Sequence, residues 1–446
     1  MPNRTTQDFV DECLIPGSRL RSATRDAELP EVYAKSFGQL LLDRPLFVPE
    51  PEITAFAADL GVLFELLVSL PDRLFDGDVR RYCAALGMDE RLAELMCRGA
   101  GGRPVPYARA DAYHDGESFK LLELNIGSQL GGIDTAQVNR ALLVLPEFAD
   151  FAERHRLGHI DTAARVARTL RRRAEAVTDG EPVIALIEST GGLSSHRHVF
   201  AAIQEAMLQH GVRLLLGEIQ ELGERNGKIT LRGTELDVVL RYFIAPELVD
   251  DPAAQQVLDM MLRADEAGRT ILHTPLRGAA FDSKGSLAML HDPRVSATFT
   301  SAERAVVERV MPWTALLGEK RYRADAHAEL MAKCRAERDG LVIKPGVGVG
   351  GVGTVIGHEV TDEVWQRALL DAASGDHVVQ ARVRPATEPV VDADTGAVQQ
   401  WVANWGVFVD AEGYAGSFVR ALKPSDGAVV AYSNPGTRGT CVFTTP

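Results

Sequence analysis

Residues Leu341 to Gly357 read Leu-Val-Ile-Lys-Pro-Gly-Val-Gly-Val-Gly-Gly-Val-Gly-Thr-Val-Ile-Gly, and few architectures accommodate such a stretch. A β-branched run ends in Lys344, five glycines follow between Gly346 and Gly353, and a second β-rich run closes at Ile356. Two strands joined by that loop form a hairpin, and the loop, with Gly348, Gly350 and Gly351 at its centre, lets backbone N–H groups approach an anion. Lys344 at its root adds a point charge suited to phosphate. A flexible hairpin without a ligand is the alternative. Gly348-x-Gly350-x-x-Gly353 matches the dinucleotide fingerprint, but that fingerprint requires a following helix, and Thr354-Val355-Ile356 reads as strand. The kinase glycine pattern fits too, yet no His-Arg-Asp or Asp-Phe-Gly follows. A Walker loop would need Gly-Lys-Ser/Thr.

At 446 residues the chain is long enough for two or three domains. A net charge of −14 argues against general nucleic-acid binding, though not against a nucleotide held by local loops. The five cysteines (Cys13, Cys83, Cys97, Cys334 and Cys441) are scattered and lack C-x-x-C spacing. They suggest reduced thiols in a cytoplasmic protein, with neither a disulfide frame nor a zinc site. Met1 to Ser22 is polar, without the apolar core of a signal peptide, and no run approaches membrane-spanning length. No membrane association is expected.

Up to about residue 100 the pattern is helical, with Ile53, Phe56, Leu60, Leu63 and Leu67 at helical spacing. No chemistry is evident there, and a structural cap is the expected role. Tyr107 to Tyr113 then alternates like a strand, His114 to Glu117 signals a turn, and Phe119 to Asn125 forms a second strand. If the two pair, Asp111, Glu123 and Asn125 converge with Arg109 beside them. Hard oxygen donors of this kind suit Mg²⁺. An ordinary acidic hairpin face is the alternative.

Residues 138 to 178 suggest two helices, the second rich in arginine, and Pro182 to Ile187 reads as a buried parallel strand. A turn, a helix through Met207 and strands at Val212–Leu216 and Asp237–Phe243 complete an open α/β layer. The loop Thr190 to His196, with Ser194 and Ser195, leaves the carboxyl end of its first strand, where such sheets bind ligands. A purely structural loop is equally compatible.

Arg109-x-Asp111, a turn, Glu123-x-Asn125 and the loop Gly127 to Gly132 together resemble the metal-binding strands of ATP-grasp ligases. In that superfamily, which includes glutathione synthetases and D-alanine–D-alanine ligases, this hairpin comes last. Here it precedes Lys344 by more than two hundred residues, an order that resembles the circularly permuted, glutathionylspermidine synthase-like group. His273 to Gly278 and Phe281 to Leu290 resemble the passage into the ATP domain, which implies Lys284, opening a helix, as a second phosphate ligand. Met311-Pro312-Trp313-Thr314 also resembles a family element. His377 to Val383 resembles the strand entering the adenine hinge, which implies Gln380 to Val383 at adenine and Glu388 at the ribose. Arg420 and the loop Tyr432 to Gly439, with Asn434 and Gly436, resemble the elements that hold acyl phosphate and carboxylate in glutathione synthetase-like enzymes. The loop departs from the usual Gly-Gly pair.

The resemblance implies an α/β (α+β) ATP-grasp fold, circularly permuted. It divides into an N-terminal helical segment (1–104), metal-binding strands and helices (105–180), an α/β domain preceding the ATP-grasp (181–283) and the ATP-binding lobe (284–446). It further implies ATP and Mg²⁺ as cofactors and activation of a carboxylate as an acyl phosphate that an amine attacks, to give an amide, ADP and phosphate. Arg109 and Arg420 would stabilise the transferring phosphoryl group and the acyl phosphate. A carrier-protein thiol as acceptor and an ATP-binding protein without turnover are the alternatives.

Overall fold

A computed structural model describes residues 3–37, 40–99, 103–318, 324–348 and 350–446. The hairpin seen in the sequence forms as Ala108–His114 and Phe119–Ile126, with Asp111 opposite Glu123 and Arg109 opposite Asn125. A bulge at Asp111/Ala112 shifts the register. Beside Ala108–His114, antiparallel, lies the long strand Val398–Asp410, then Gly413–Leu422, then Arg438–Thr445. Thr387–Val391 pairs with the opening half of Val398–Asp410. The sheet therefore joins strands from early and late parts of the chain. By this antiparallel order the last strand ends at the same end of the sheet where the first hairpin strand begins, with two strands between them.

Leu46–Pro49 completes this sheet in parallel with Arg438–Thr445, inside the segment expected to be wholly helical. Four residues ending in proline give no usable alternation, and their partner is at the far end of the chain. The rest of the N-terminal segment is helical as expected. Helix Glu50–Phe75 buries Ile53, Phe56, Leu60, Leu63 and Leu67 against Val398–Asp410 and Gly413–Leu422, and Phe56 stacks on Phe119 with ring centroids 5.0 Å apart. Its length and apolarity, with a mean hydropathy of 1.9 over its best window, correct the expectation that no run reaches membrane-spanning length. Half of that window is buried by the strands and helices around it, so the apolarity is accounted for by core packing.

The open α/β layer is a parallel sheet in the order Ile271–His273, Val238–Arg241, Ile184–Glu188, Leu214–Glu218. Its near-continuous buried run, Ile184 to Glu188, is what two-sided burial of a parallel strand requires. A small meander over residues 222–235 was not evident in the sequence. Three helices rather than two occupy residues 136–174, because Leu145-Pro146 ends one and starts the next.

The glycine-rich stretch belongs to a separate antiparallel sheet, Thr314–Leu316, Val378–Ala381, Leu341–Lys344 and Val355–Ile356. Helices Ala324–Ala336 and Asp362–Ala373 cover it around Trp365, Met331, Ile343 and Val379, a core of its own. Residues 428–432 are irregular, and Arg438–Thr445 is the closing strand. All five cysteines are free thiols. The mixed fold of sheets and helices is α+β, as the sequence implies.

Candidate active site

A cleft of about 480 Å³ lies between the glycine-loop sheet and the open face of the central sheet. Asp111, Glu123, Lys284, Lys344, Gly348, Gly350, Gly351, Gln380, Val383 and Arg420, all singled out from the sequence, line it. They arrive on several separate elements. The hairpin pair brings Asp111 and Glu123 together, and Arg420 reaches the same face from two strands away.

Asp111 is nearly sealed from solvent and lies between two guanidiniums. Arg109 Nε donates to Oδ1 at 2.9 Å, and Arg420 Nη2 donates to Oδ2. Burial works to raise the Asp111 carboxyl, but the two arginines outweigh it and hold it below the usual carboxylate range. Both guanidiniums rest on the Phe418 ring, 5.3 and 5.5 Å from its centroid. Gly406 makes room for that ring, since a Cβ there would lie 2.6 Å from it.

Glu123 is paired with Lys284 Nζ at 3.0 Å. Lys284 opens the helix Lys284–Met289, capped by Ser283, as expected. Its backbone N–H donates to Gly346 O at 2.9 Å, which ties this helix to the root of the glycine loop. Lys344 donates to Gln380 Oε1 at 2.7 Å, and Gln380 in turn donates to Thr314 Oγ1. Gln380 thus positions the lysine from beneath. Burial pushes the Lys344 ammonium down to about 8, against the pull of Glu123.

The glycine loop covers the cleft. Gly350, Gly351 and Gly353 have left-handed φ values of 64, 74 and 76°, which favour glycine. At Gly351 a Cβ would also meet Val429 Cγ1 at 2.6 Å, and Ser433 Oγ donates to Gly350 O at 3.3 Å. The roof therefore touches the loop of residues 428–433 on the opposite wall.

Other expected residues lie elsewhere. Asn125 sits two pairs beyond Glu123, does not line the cleft, and donates to Arg109 O at 3.3 Å. Glu388, expected at a ribose, accepts from Arg44 Nη2 at 2.6 Å, and this arginine is 1% exposed. Ser194 and Ser195 donate to Gly191 O within their own turn. The amides of that turn are also engaged, because Gly191 and Leu193 donate to Glu218. Asn434 donates to Asp426 O and accepts from Gly436 N, so both residues serve the fold of their own loop.

Sequence reasoning missed Asn404. It lines the cleft at 7% exposure, opposite Arg420 in the register, and its Oδ1 is buried without a partner. Arg420 Nε is likewise buried without a partner. Asn404 pairs with Arg420 across the hairpin of Val398–Asp410 and Gly413–Leu422, and only the exact register of that hairpin could have pointed to it.

The cations and the amide-rich roof suit a polyanion such as a nucleoside triphosphate. Among the described residues no three His, Cys, Asp or Glu side chains converge on a metal position. That donor set fits Mg²⁺, which takes one or two carboxylates and otherwise uses neutral oxygens and phosphates. It does not fit zinc, which wants nitrogen and sulfur ligands.

No protein-family model and no curated protein matches this sequence. Solved structures do match. The chain aligns over 96% of its length with 97% of a glutathione synthetase-like effector from Globodera pallida in its apo form, at 12% identity and a TM-score of 0.57. A second match is a protein described as a gamma-glutamylcysteine synthetase from Methylobacillus flagellatus, at 13% identity over 87% of this chain and 88% of that one, with a TM-score of 0.42. The first of these likenesses places the fold beside the glutathione synthetase-like architecture.

Proposed function

We propose that the protein is an ATP-dependent ligase of the ATP-grasp type that activates a small carboxylate, an amino acid or short peptide, and joins it to an amine. The observation that supports this most is the convergence of Lys284, Lys344 and Arg420 on one cleft under a glycine-rich roof, opposite the carboxylates of Asp111 and Glu123. The likeness of fold agrees with it. The strand order, with the Asp111 hairpin hydrogen-bonded beside strands from the end of the chain, supports the permuted arrangement.

Lys344 and Lys284 would hold the phosphates, with Gln380 fixing the first lysine and the Ser283 cap fixing the second. Backbone groups near Val383, where the strand Val378–Ala381 leaves its sheet, would take the base. Arg420, braced on Phe418, would stabilise charge that develops on the transferring phosphoryl group. Arg109 would act one step back, holding Asp111 and through it Arg420. Mg²⁺ would supply neutralisation of the phosphate oxygens beside Glu123. The roof, in contact with Val429 and Ser433, would exclude water from the activated carboxylate.

The test is ADP formation from MgATP on adding amino acids and short peptides together with amine acceptors, with products read by mass spectrometry. A ligase gives ADP and a new amide only when both substrates are present. ATP that remains bound and unconsumed with every substrate pair would sink the reading.

A further inference from the structure

We infer that Asn404 supplies the neutral oxygen of the divalent-cation site, the place that the sequence gives to Asn125. The inference rests on the nucleotide reading above and deepens it. Three observations carry it. Asp111 is engaged at both oxygens by Arg109 and Arg420, so a cation there competes with two guanidiniums already in place. Asn125 spends its amide N–H on Arg109 O and lies off the cleft wall. Asn404 is the cleft residue whose side-chain oxygen is both buried and unpartnered.

A buried amide oxygen without a partner costs about 1–3 kcal/mol, so it persists where a ligand satisfies it. Its register partner Arg420 presents an equally unpartnered Nε–H. An acceptor and a cationic donor side by side match a metal-bound phosphate oxygen: the cation sits on the amide oxygen and the anion on the guanidinium. The strand alternation places Asn404 on the same face as Gly406, which lies opposite Asp111, and Asp111 lies opposite Glu123. Asn404 and Glu123 thus line one cleft from strands on either side of Ala108–His114.

The competing chemistry is an amide turned so that its nitrogen donates directly to phosphate. Two variants separate these. Asn404→Leu keeps the volume and removes both polar atoms, whereas Asn404→Asp keeps an oxygen and removes the donor. Mn²⁺ binding in the presence of ADP is read by electron paramagnetic resonance, and ADP affinity without metal by calorimetry in chelator. For Asn404→Leu we expect Mn²⁺ affinity to fall about tenfold or more, with metal-free ADP affinity within twofold of wild type. For Asn404→Asp we expect Mn²⁺ affinity retained or raised.

Unchanged Mn²⁺ binding in Asn404→Leu overturns the inference and leaves the ligase reading standing. Loss of metal-free ADP binding in both variants assigns Asn404 to phosphate and also overturns it. Should Asn404→Leu fail to fold, Asn404→Asp decides alone, because weakened Mn²⁺ binding there contradicts an oxygen ligand. If wild-type protein binds neither ADP nor Mn²⁺ with ADP, the ligase reading falls and the inference falls with it.

Discussion

Asp111 lies directly opposite Glu123 across the antiparallel pair, yet the two carboxylates are held by different cations, Asp111 by Arg109 and Arg420 and Glu123 by Lys284. Their substitutions should therefore differ in kind. Asp111→Asn leaves two guanidiniums, 12% and 11% exposed, without their shared counter-charge. Removing one partner of such a buried pair costs about 3–5 kcal/mol. Glu123→Gln, at a side chain 26% exposed, should leave the unfolding midpoint near wild type and abolish ADP formation at limiting Mg²⁺. Urea melts and turnover measured on the same two variants check the contrast.

Lys344→Ala should weaken binding of a non-hydrolysable ATP analogue and slow ADP formation by about two to three orders of magnitude, as loss of a fixed cation at developing charge does. Burial holds the Lys344 ammonium down at about 8, below its ordinary 10.5. Nucleotide affinity should then decline as pH rises from 7 to 9. Lys344→Arg stays charged throughout and should flatten that decline. Calorimetric titration at several pH values reads both effects.

Glu388, expected at a ribose, is paired with Arg44 and does not line the cleft. Its partner Arg44 is fully enclosed and also donates to Pro389 O and Pro45 O. Glu388→Gln should lower stability by about 3 kcal/mol through the stranded guanidinium, with nucleotide affinity unchanged. A ribose ligand would give the reverse pattern, a normal melt and weakened ATP binding.

Asp134 is buried with one carboxyl oxygen unpartnered, and burial raises its titration from 3.8 to about 6. The folded protein keeps this proton over a range where the unfolded chain has lost it. The contribution of Asp134 to stability therefore falls as pH rises from about 4 to 6 and stays low above that. Asp134→Asn should gain about 2 kcal/mol at pH 7.5 and little at pH 4. Thermal melts at both pH values decide it.

The cleft was legible where chemistry and sequence proximity coincide. The hairpin of Asp111 and Glu123 turns back on itself within four residues, and Lys344 and the glycines adjoin one another, so alternation and composition sufficed. Lys284 and Arg420 came through the family resemblance and reach the same cleft. What stayed hidden depends on partners that leave no local sign in composition or alternation. Asn404 is an unremarked residue in an apolar strand until Arg420 is set beside it. Glu388 looked like a free hinge carboxylate because Arg44, 344 positions away, gives no local sign of reaching it. Ser194 and Ser195 occupy the right end of a parallel strand, but Glu218 from the next strand takes the amides that a ligand would need.

The strand that carries Asp111 finds its inner neighbour in Val398–Asp410, which the ribosome delivers nearly three hundred residues later. At typical synthesis rates of about 5–20 residues per second, the hairpin waits roughly 15 to 60 seconds with one edge unpaired. Leu46–Pro49 waits longer still, for Arg438–Thr445. An open edge invites pairing with other chains, and the late closure of so large a loop slows folding. Half-made chains are thus the vulnerable form of this protein, and its yield in cells should depend more on chaperones and on the pace of translation than on the stability of the finished molecule.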